Sequence, residues 1–376
     1  MKLTVKAIAL SKILNQAIDA IPAKSTEPSF LNFLFTVTKD SLEVLASDGT
    51  ITMKTILPAK EGKEQNIIDS EPGRVQVPAH LFLEIVRKLS GDVVTLSMAD
   101  STVLSVSDNH TFYTLNTFNP NEYPDIDMSF DESKALHIPA PDFVRLFQCT
   151  NFAVATRGAK QCFLGINIRT EGQVLYFLAT DAMRLAQRSL TLPVAFEPAI
   201  KFTVPVKVLA MIVKLEGIKE VLVEPGDNKA IFKAGDTVFQ TRLYNGEFPS
   251  PDRIRPASTP YVLTVNSDEF LAALDRVTLV TMGNLASIAR LTCSKDGAEL
   301  VASSQPFGSA KEHLDKFTFE GDLFDITFNV KFVADAVRAL ASPKISLAFA
   351  GEGKLFMIKN DDPANFQIVT PIRTNM

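Results

Sequence analysis

What the chain has little of narrows its class first. It carries three cysteines in 376 residues, Cys149, Cys162 and Cys293, none in a CxxC pair. The odd count and wide spacing exclude a disulfide framework and point to buried structural thiols in a reducing compartment. Its four histidines are scattered, with no HExxH and no cysteine partner at zinc spacing, so no metal site is expected. No stretch reaches the ~18 to 20 consecutive apolar residues that a membrane helix needs. The stretch from Met1 to Ile21 is interrupted by Asn15, Gln16 and Asp19 at helical spacing, which predicts no signal peptide. Positive charge is also short: the formal net charge is −5, which argues against binding a polyanion through a general basic excess. It leaves open basic residues confined to one surface.

Chemical constellations are missing too. Gly351-Glu352-Gly353-Lys354 lacks the earlier glycine and the following Ser/Thr of a phosphate loop, and reads as a hairpin turn. Asp48 and Asp181 stand at equivalent places after a strand, where turn formation explains an aspartate well. No catalytic site, metal or cofactor is expected.

What is there is repetition. PAHLFLEIVR from Pro78 returns as PVKVLAMIVK from Pro205 and NVKFVADAVR from Asn329. LTVKAIALSKIL from Leu3 returns as LHIPAPDFVRLF from Leu136 and LTVNSDEFLAAL from Leu263. Both families have helical apolar spacing, for example Leu81, Phe82, Ile85 and Val86. Proline opening two of the copies suits a first helical turn. Between them recurs a strand-rich stretch, LEVLASDG from Leu42 and LYFLATDA from Leu175, with ELVASSQP from Glu299 as a looser third. The period is about 125 to 130 residues, in the order strand, helix, strands, helix, strands. This predicts an α+β chain of three tandem sheet-plus-two-helices units, spanning 1–125, 126–255 and 256–376.

Aligning the copies locates the positive charge. The second helices share His80, Lys207 and Lys331 at one position and Arg87, Lys214 and Arg338 seven residues on, almost two turns later and so on one face. Lys88 adjoins Arg87. The first helices add Lys12 and Arg145, and Arg276 lies one turn beyond the corresponding Ala272. One sign at one place in three copies favours a shared anionic ligand, bound through phosphates without base recognition. Glu84 and Asp335 dilute that face.

The chain resembles the β subunit of bacterial DNA polymerase III, the sliding-clamp family, on TDAMRLA at 180–186, NGEFPSPDRI at 245–254, FNVKFVADAVRAL at 328–340 and IVTPIR at 368–373. The resemblance spans Met1 to Met376 and shares the three-unit organisation. It implies a DNA clamp fold and a head-to-tail homodimeric ring with pseudo-sixfold symmetry. It also implies a non-enzymatic processivity factor in the cytoplasm that encircles double-stranded DNA without sequence preference. The basic positions above would face the duplex, joined by Lys24, Arg157 and Lys160. Implied partners are the polymerase III catalytic subunit, the clamp loader, and other polymerases and repair proteins, docking through short linear peptides. Their groove would comprise Phe163, Thr180, Met183, Arg184, Leu185, Pro249, Ile254, Ile368, Thr370, Pro371 and Ile372. Ala182 and Met183 stand where glycine and histidine are usual, and Thr370 replaces a common methionine, which bears on peptide preference. Phe112 of one chain and Leu279 with Val280 of the other would meet at the dimer seam. The alternatives are an enzyme on a triplicated α+β unit, or a monomeric scaffold whose basic faces are merely solvated.

Overall fold

The computed structural model describes residues 1–158, 160–281 and 287–373. The chain groups into two compact units, Met1–Phe143 with Lys207–Leu243, and Val144–Val206 with Tyr244–Met376. Among the described residues, seven helices alternate with antiparallel strands: α1 (Ala7–Ala17), α2 (Ala79–Lys88), α3 (Ala140–Gln148), α4 (Val206–Ile212), α5 (Pro251–Ile254), α6 (Ser267–Thr278) and α7 (Val330–Leu340). Among the described residues no helix is long and apolar enough to cross a membrane.

One apolar pattern explains the long helices. Buried residues fall at Leu10, Ile13, Leu14 and Ala17 in α1, at Ala79, Phe82, Leu83 and Val86 in α2, at Phe270, Ala273, Leu274 and Val277 in α6, and at Val330, Val333, Ala334 and Val337 in α7. That i, i+3, i+4, i+7 spacing buries one stripe against a sheet. Leu81, expected in the core, is 52% exposed, because Ala79 and Leu83 complete the stripe instead. The Asn266 side chain caps α6, accepting from the Asp268 and Glu269 amides at 3.0 Å, and Asn329 caps α7 from the Lys331 amide at 3.0 Å. Pro78 and Pro205 end strands rather than occupying a first helical turn.

The first unit holds a five-stranded and an eight-stranded sheet. In the larger, the first repeat's strands (Asn32–Val37, Ser41–Ser47 and Ile51–Pro58, with Gly73–Pro78) continue into the second repeat's Thr237–Arg242, Lys229–Ala234 and Glu220–Pro225. The joint is an antiparallel ladder in which Thr52 faces Gln240 and Met53 faces Phe239. The second unit repeats the device in a nine-stranded sheet, where Arg184–Thr191 pairs with Asn365–Val369 and Leu185 faces Ile368. Repeats therefore join edge to edge, satisfying backbone groups that an isolated sheet edge leaves open.

Among the described residues, two of the strands that end a sheet lie at the ends of hairpins. Phe112–Asn116 ends the five-stranded sheet, and Gly308–His313 ends a four-stranded sheet in the second unit. The strands Lys344–Phe349 and Phe356–Lys359 pair, so 351–354 is the hairpin turn expected. All three cysteines are buried, and burial pushes the Cys293 thiol up to about 12, leaving it inert.

Helix α7 ends at Ala341 with φ 47° and ψ 44°, a left-handed cap that glycine occupies without strain. Ala341→Gly is expected to raise stability by about 1 kcal/mol. An upward shift in the urea midpoint checks this, and a fall would contradict it.

Candidate functional site

The basic side chains lie on helices and turns, and six of the thirteen are answered by a carboxylate. Lys207 Nζ sits 2.7 Å from Asp48, and Lys214 Nζ sits 2.7 Å from Asp19. Arg87 contacts Glu84 at 2.8 Å and hydrogen-bonds Asn15. Arg276 Nε donates to Glu312 at 3.1 Å. Lys331 contacts Asp335 at 2.8 Å, and Arg338 lies 3.8 Å from Asp275 and 3.9 Å from Asp335. Lys214 is not on the helical face expected, since α4 ends at Ile212 and Lys214 falls in the following turn. Lys12, Lys24, His80, Lys88, Arg145 and Arg157 make no ion pair among the described residues, and Lys160 lies 5.4 Å from the Phe163 ring centroid. Exposed pairs of this kind are each worth about 0 to 1 kcal/mol, so phosphates can exchange for the carboxylates at small cost.

Asp48 and Asp181 are turn formers. Asp48 Oδ1 accepts from the Thr50 and Ile51 amides at 2.9 and 2.8 Å, and Asp181 Oδ1 accepts from the Met183 and Arg184 amides at 2.9 and 3.0 Å.

On the outer face of the nine-stranded sheet, the ladder brings Leu185 and Ile368 side by side. Met357, Phe366 and Ala348 complete a buried apolar cluster, with Ile254, Val262 and Leu355 packed against it. Phe163 joins a second cluster with Cys162, Leu178 and Phe248, beside Pro249 in sequence. Thr180, 4% exposed, donates its hydroxyl to the Arg184 carbonyl at 2.6 Å. Met183 is 47% exposed, and its carbonyl accepts from both the amide and the hydroxyl of Thr370, at 2.9 and 2.8 Å. The chain then leaves the cluster: the Ile372 amide donates to Thr327 at 2.8 Å, and neither Pro371 nor Ile372 joins the apolar floor.

Arg184 does not face the groove. Strand alternation turns it away from Leu185, toward α7, where Nε meets Asp181 at 3.0 Å and a terminal nitrogen meets Asp335 at 2.9 Å. Its guanidinium also lies over Phe332 and Phe152, 4.6 and 5.2 Å from the ring centroids. The floor residues Met357 and Phe366 escaped the sequence reading. Their signal was the outward register of two short strands, which only the pairing reveals.

The equivalent place in the eight-stranded sheet is polar: Thr52 faces Gln240 where the other joint has Leu185 and Ile368. The two joints thus differ at this rung, although Leu34, Leu45 and Val238 form an apolar cluster with Tyr123 and Met128 on the same face of the eight-stranded sheet. Phe112 and Leu279 lie 66% and 63% exposed, and Val280 is half-buried.

Burial works to raise the pKa of Asp335, but hydrogen bonds and charge from Lys331 and Arg184 outweigh it and hold the carboxyl below its ordinary 3.8. The contribution is therefore complete above pH 4 or so and lost as pH falls through the lowered value. Asp335→Asn is expected to cost about 1 to 2 kcal/mol at neutral pH. In urea unfolding the gap from the parent should close as pH falls through that lowered value; a gap independent of pH would contradict the assignment.

Comparison with known proteins identifies the family. Residues 1–127, 137–250 and 252–373 match the N-terminal, central and C-terminal domains of the DNA polymerase III beta subunit family. The chain is 26% identical to the beta sliding clamp of Bacillus subtilis and 28% identical to that of Staphylococcus aureus strain Mu50, in each case covering 100% of both sequences. A crystal structure of the Bacillus subtilis DNA polymerase sliding clamp superposes with a TM-score of 0.95 at 26% identity, covering 100% of this chain and 99% of that one.

Proposed function

Because this chain belongs to the DNA polymerase III beta subunit family, whose members are sliding clamps, we propose that two copies close head to tail around duplex DNA. It is a replication protein and a non-enzymatic processivity factor. In this reading the three repeats, 1–125, 126–255 and 256–376, supply six units to a ring.

The free strand edges carry the ring. Thr52 and Leu185 are the hairpin partners of Ser47 and Thr180, and Ser309 holds the same place opposite Ser303. Gln240 and Ile368 are the partners of Ile231 and Met357, and Thr114 holds that place opposite Ser105. Both joints within the chain pair these positions, Thr52 with Gln240 and Leu185 with Ile368. Each joint also has one bond at its rim, Arg242 N–H to the Thr50 carbonyl at 3.0 Å and Thr370 N–H to the Met183 carbonyl at 2.9 Å. The same rule applied to the free edges sets Thr114 opposite the partner's Ser309 and gives the Asn116 N–H the partner's Phe307 carbonyl. Phe112 then finds apolar cover near the partner's Leu279 and Val280. A head-to-tail contact closes only when the rotations add to a full turn, which six like joints accomplish.

The helices would line the hole. Lys12, Lys24, His80, Arg87, Lys88, Arg145, Arg157, Lys160, Lys207, Lys214, Arg276, Lys331 and Arg338 are proposed to touch phosphates. The carboxylates beside Arg87, Lys207, Lys214, Arg276, Lys331 and Arg338 keep those contacts weak, as sliding requires. The Leu185–Ile368 surface, flanked by Phe163, Thr180, Met183, Pro249, Ile254 and Thr370, is proposed to take short linear peptides. Those peptides belong to the polymerase catalytic subunit, the clamp loader, and other polymerases and repair proteins working on DNA in the cytoplasm. Arg184, Pro371 and Ile372 act as its support rather than its lining.

Chemical crosslinking tests the seam. Thr114→Cys combined with Ser309→Cys, treated with a short bis-maleimide, should give a covalent dimer of the 41.2 kDa chain. The buried native thiols should stay unmodified. A ladder of higher oligomers would show an open chain of contacts, and no product would refute the register.

A further inference from the structure

Arg255 stands over the outer cluster and is used by none of the contacts described so far. It directly follows α5; its amide donates to the Pro251 carbonyl at 2.8 Å, and Pro256 stiffens the next residue. Its guanidinium lies 5.0 Å from the centroid of the Phe366 ring. Phe366 is 4% exposed and belongs to the floor formed with Leu185, Met357 and Ile368, on which Ile254 also packs. Arg255 itself is exposed and makes no ion pair or side-chain hydrogen bond among the described residues. That sets it apart. Arg184, Arg188, Arg276 and Arg290 each meet a carboxylate. Arg253 nearby is likewise exposed and unpaired, and Asp252 of the same turn pairs with neither.

A guanidinium stacked on an aromatic face keeps its N–H edge available for an acceptor in its own plane. The stacking also removes rotamer freedom before any ligand arrives, so less entropy is lost when a carboxylate binds. An apolar floor with one fixed, unanswered cation beside it is complementary to a segment carrying apolar side chains next to a negative charge.

We propose that Arg255 is a specificity-determining residue of the outer groove, selecting partner peptides that place a carboxylate beside the apolar residues seated on Leu185 and Ile368. The inference rests on the peptide-groove reading above and deepens it by stating the partner's chemistry. The carboxylate comes from an acidic side chain or from a chain terminus.

Fluorescence anisotropy with the full chain and short labelled peptides tests it. Each peptide carries a Leu-Phe pair flanked by Asp, Asn or Lys, with the C-terminus free or amidated. The Asp peptide should bind about five-fold tighter than the Asn peptide at low salt, with the Lys peptide weakest and the advantage shrinking as salt rises. If the terminus is the source, the free-acid Asn peptide shows that advantage over its amide. Arg255→Gln, which keeps a planar group on the ring, and Arg255→Ala should both erase the preference while holding the amidated Asn peptide within about two-fold. Equal binding of acidic and neutral peptides, or a preference that survives both substitutions, would overturn the role of Arg255 alone. Failure of every peptide to bind, or binding that Leu185→Asp leaves unchanged, would overturn the groove reading together with it.

Discussion

The antiparallel ladder that joins one repeat to the next is the interaction on which everything else here depends. A strand edge buried without partners is costly, because each open amide and carbonyl forfeits a hydrogen bond. The chain meets that cost twice in the same register, through Ile51–Pro58 with Thr237–Arg242 and through Arg184–Thr191 with Asn365–Val369. Each ladder makes a continuous sheet, and each sheet gives the flanking helices one common face. The ladders also decide what lies on the opposite face, since partners across a strand pair point the same way.

From that single device two different surfaces arise. On the helix side cations recur with the repeat, and six of them are matched by Asp19, Asp48, Glu84, Asp275, Glu312 and Asp335. Such pairs contribute little to stability and hold the local potential down, which suits a protein meant to stay on DNA by encirclement rather than by grip. On the outer side the repeats diverge. Thr52 with Gln240 leaves one joint polar, while Leu185 with Ile368, floored by Met357 and Phe366, makes the other apolar. Three copies share a fold, and their joints differ in the chemistry of this rung.

The sequence carried the repeats, the helices and the turn aspartates because those depend on local spacing and local hydrogen bonding. It could not show which strand of one repeat meets which strand of the next, since a ladder between residues far apart leaves no periodic trace. Arg184 illustrates the loss. Its neighbour Leu185 faces outward, and strand alternation alone sends Arg184 inward to Asp335 and Phe332, against the reading that placed both in one groove. Lys214 was set on a helical face by counting seven residues, but α4 stops at Ile212. Leu81 shares the apolar spacing of α2 yet is exposed, because the stripe that packs runs through Ala79, Phe82, Leu83 and Val86.

The central claim is topological: the protein holds DNA because it surrounds it. Its most direct test loads the protein with a clamp loader onto a nicked circular DNA, isolates the complex by gel filtration, and then cuts the circle once. Encirclement predicts that the protein co-elutes with the intact circle and is lost after the single cut. Equal retention on circular and linear DNA would contradict the account.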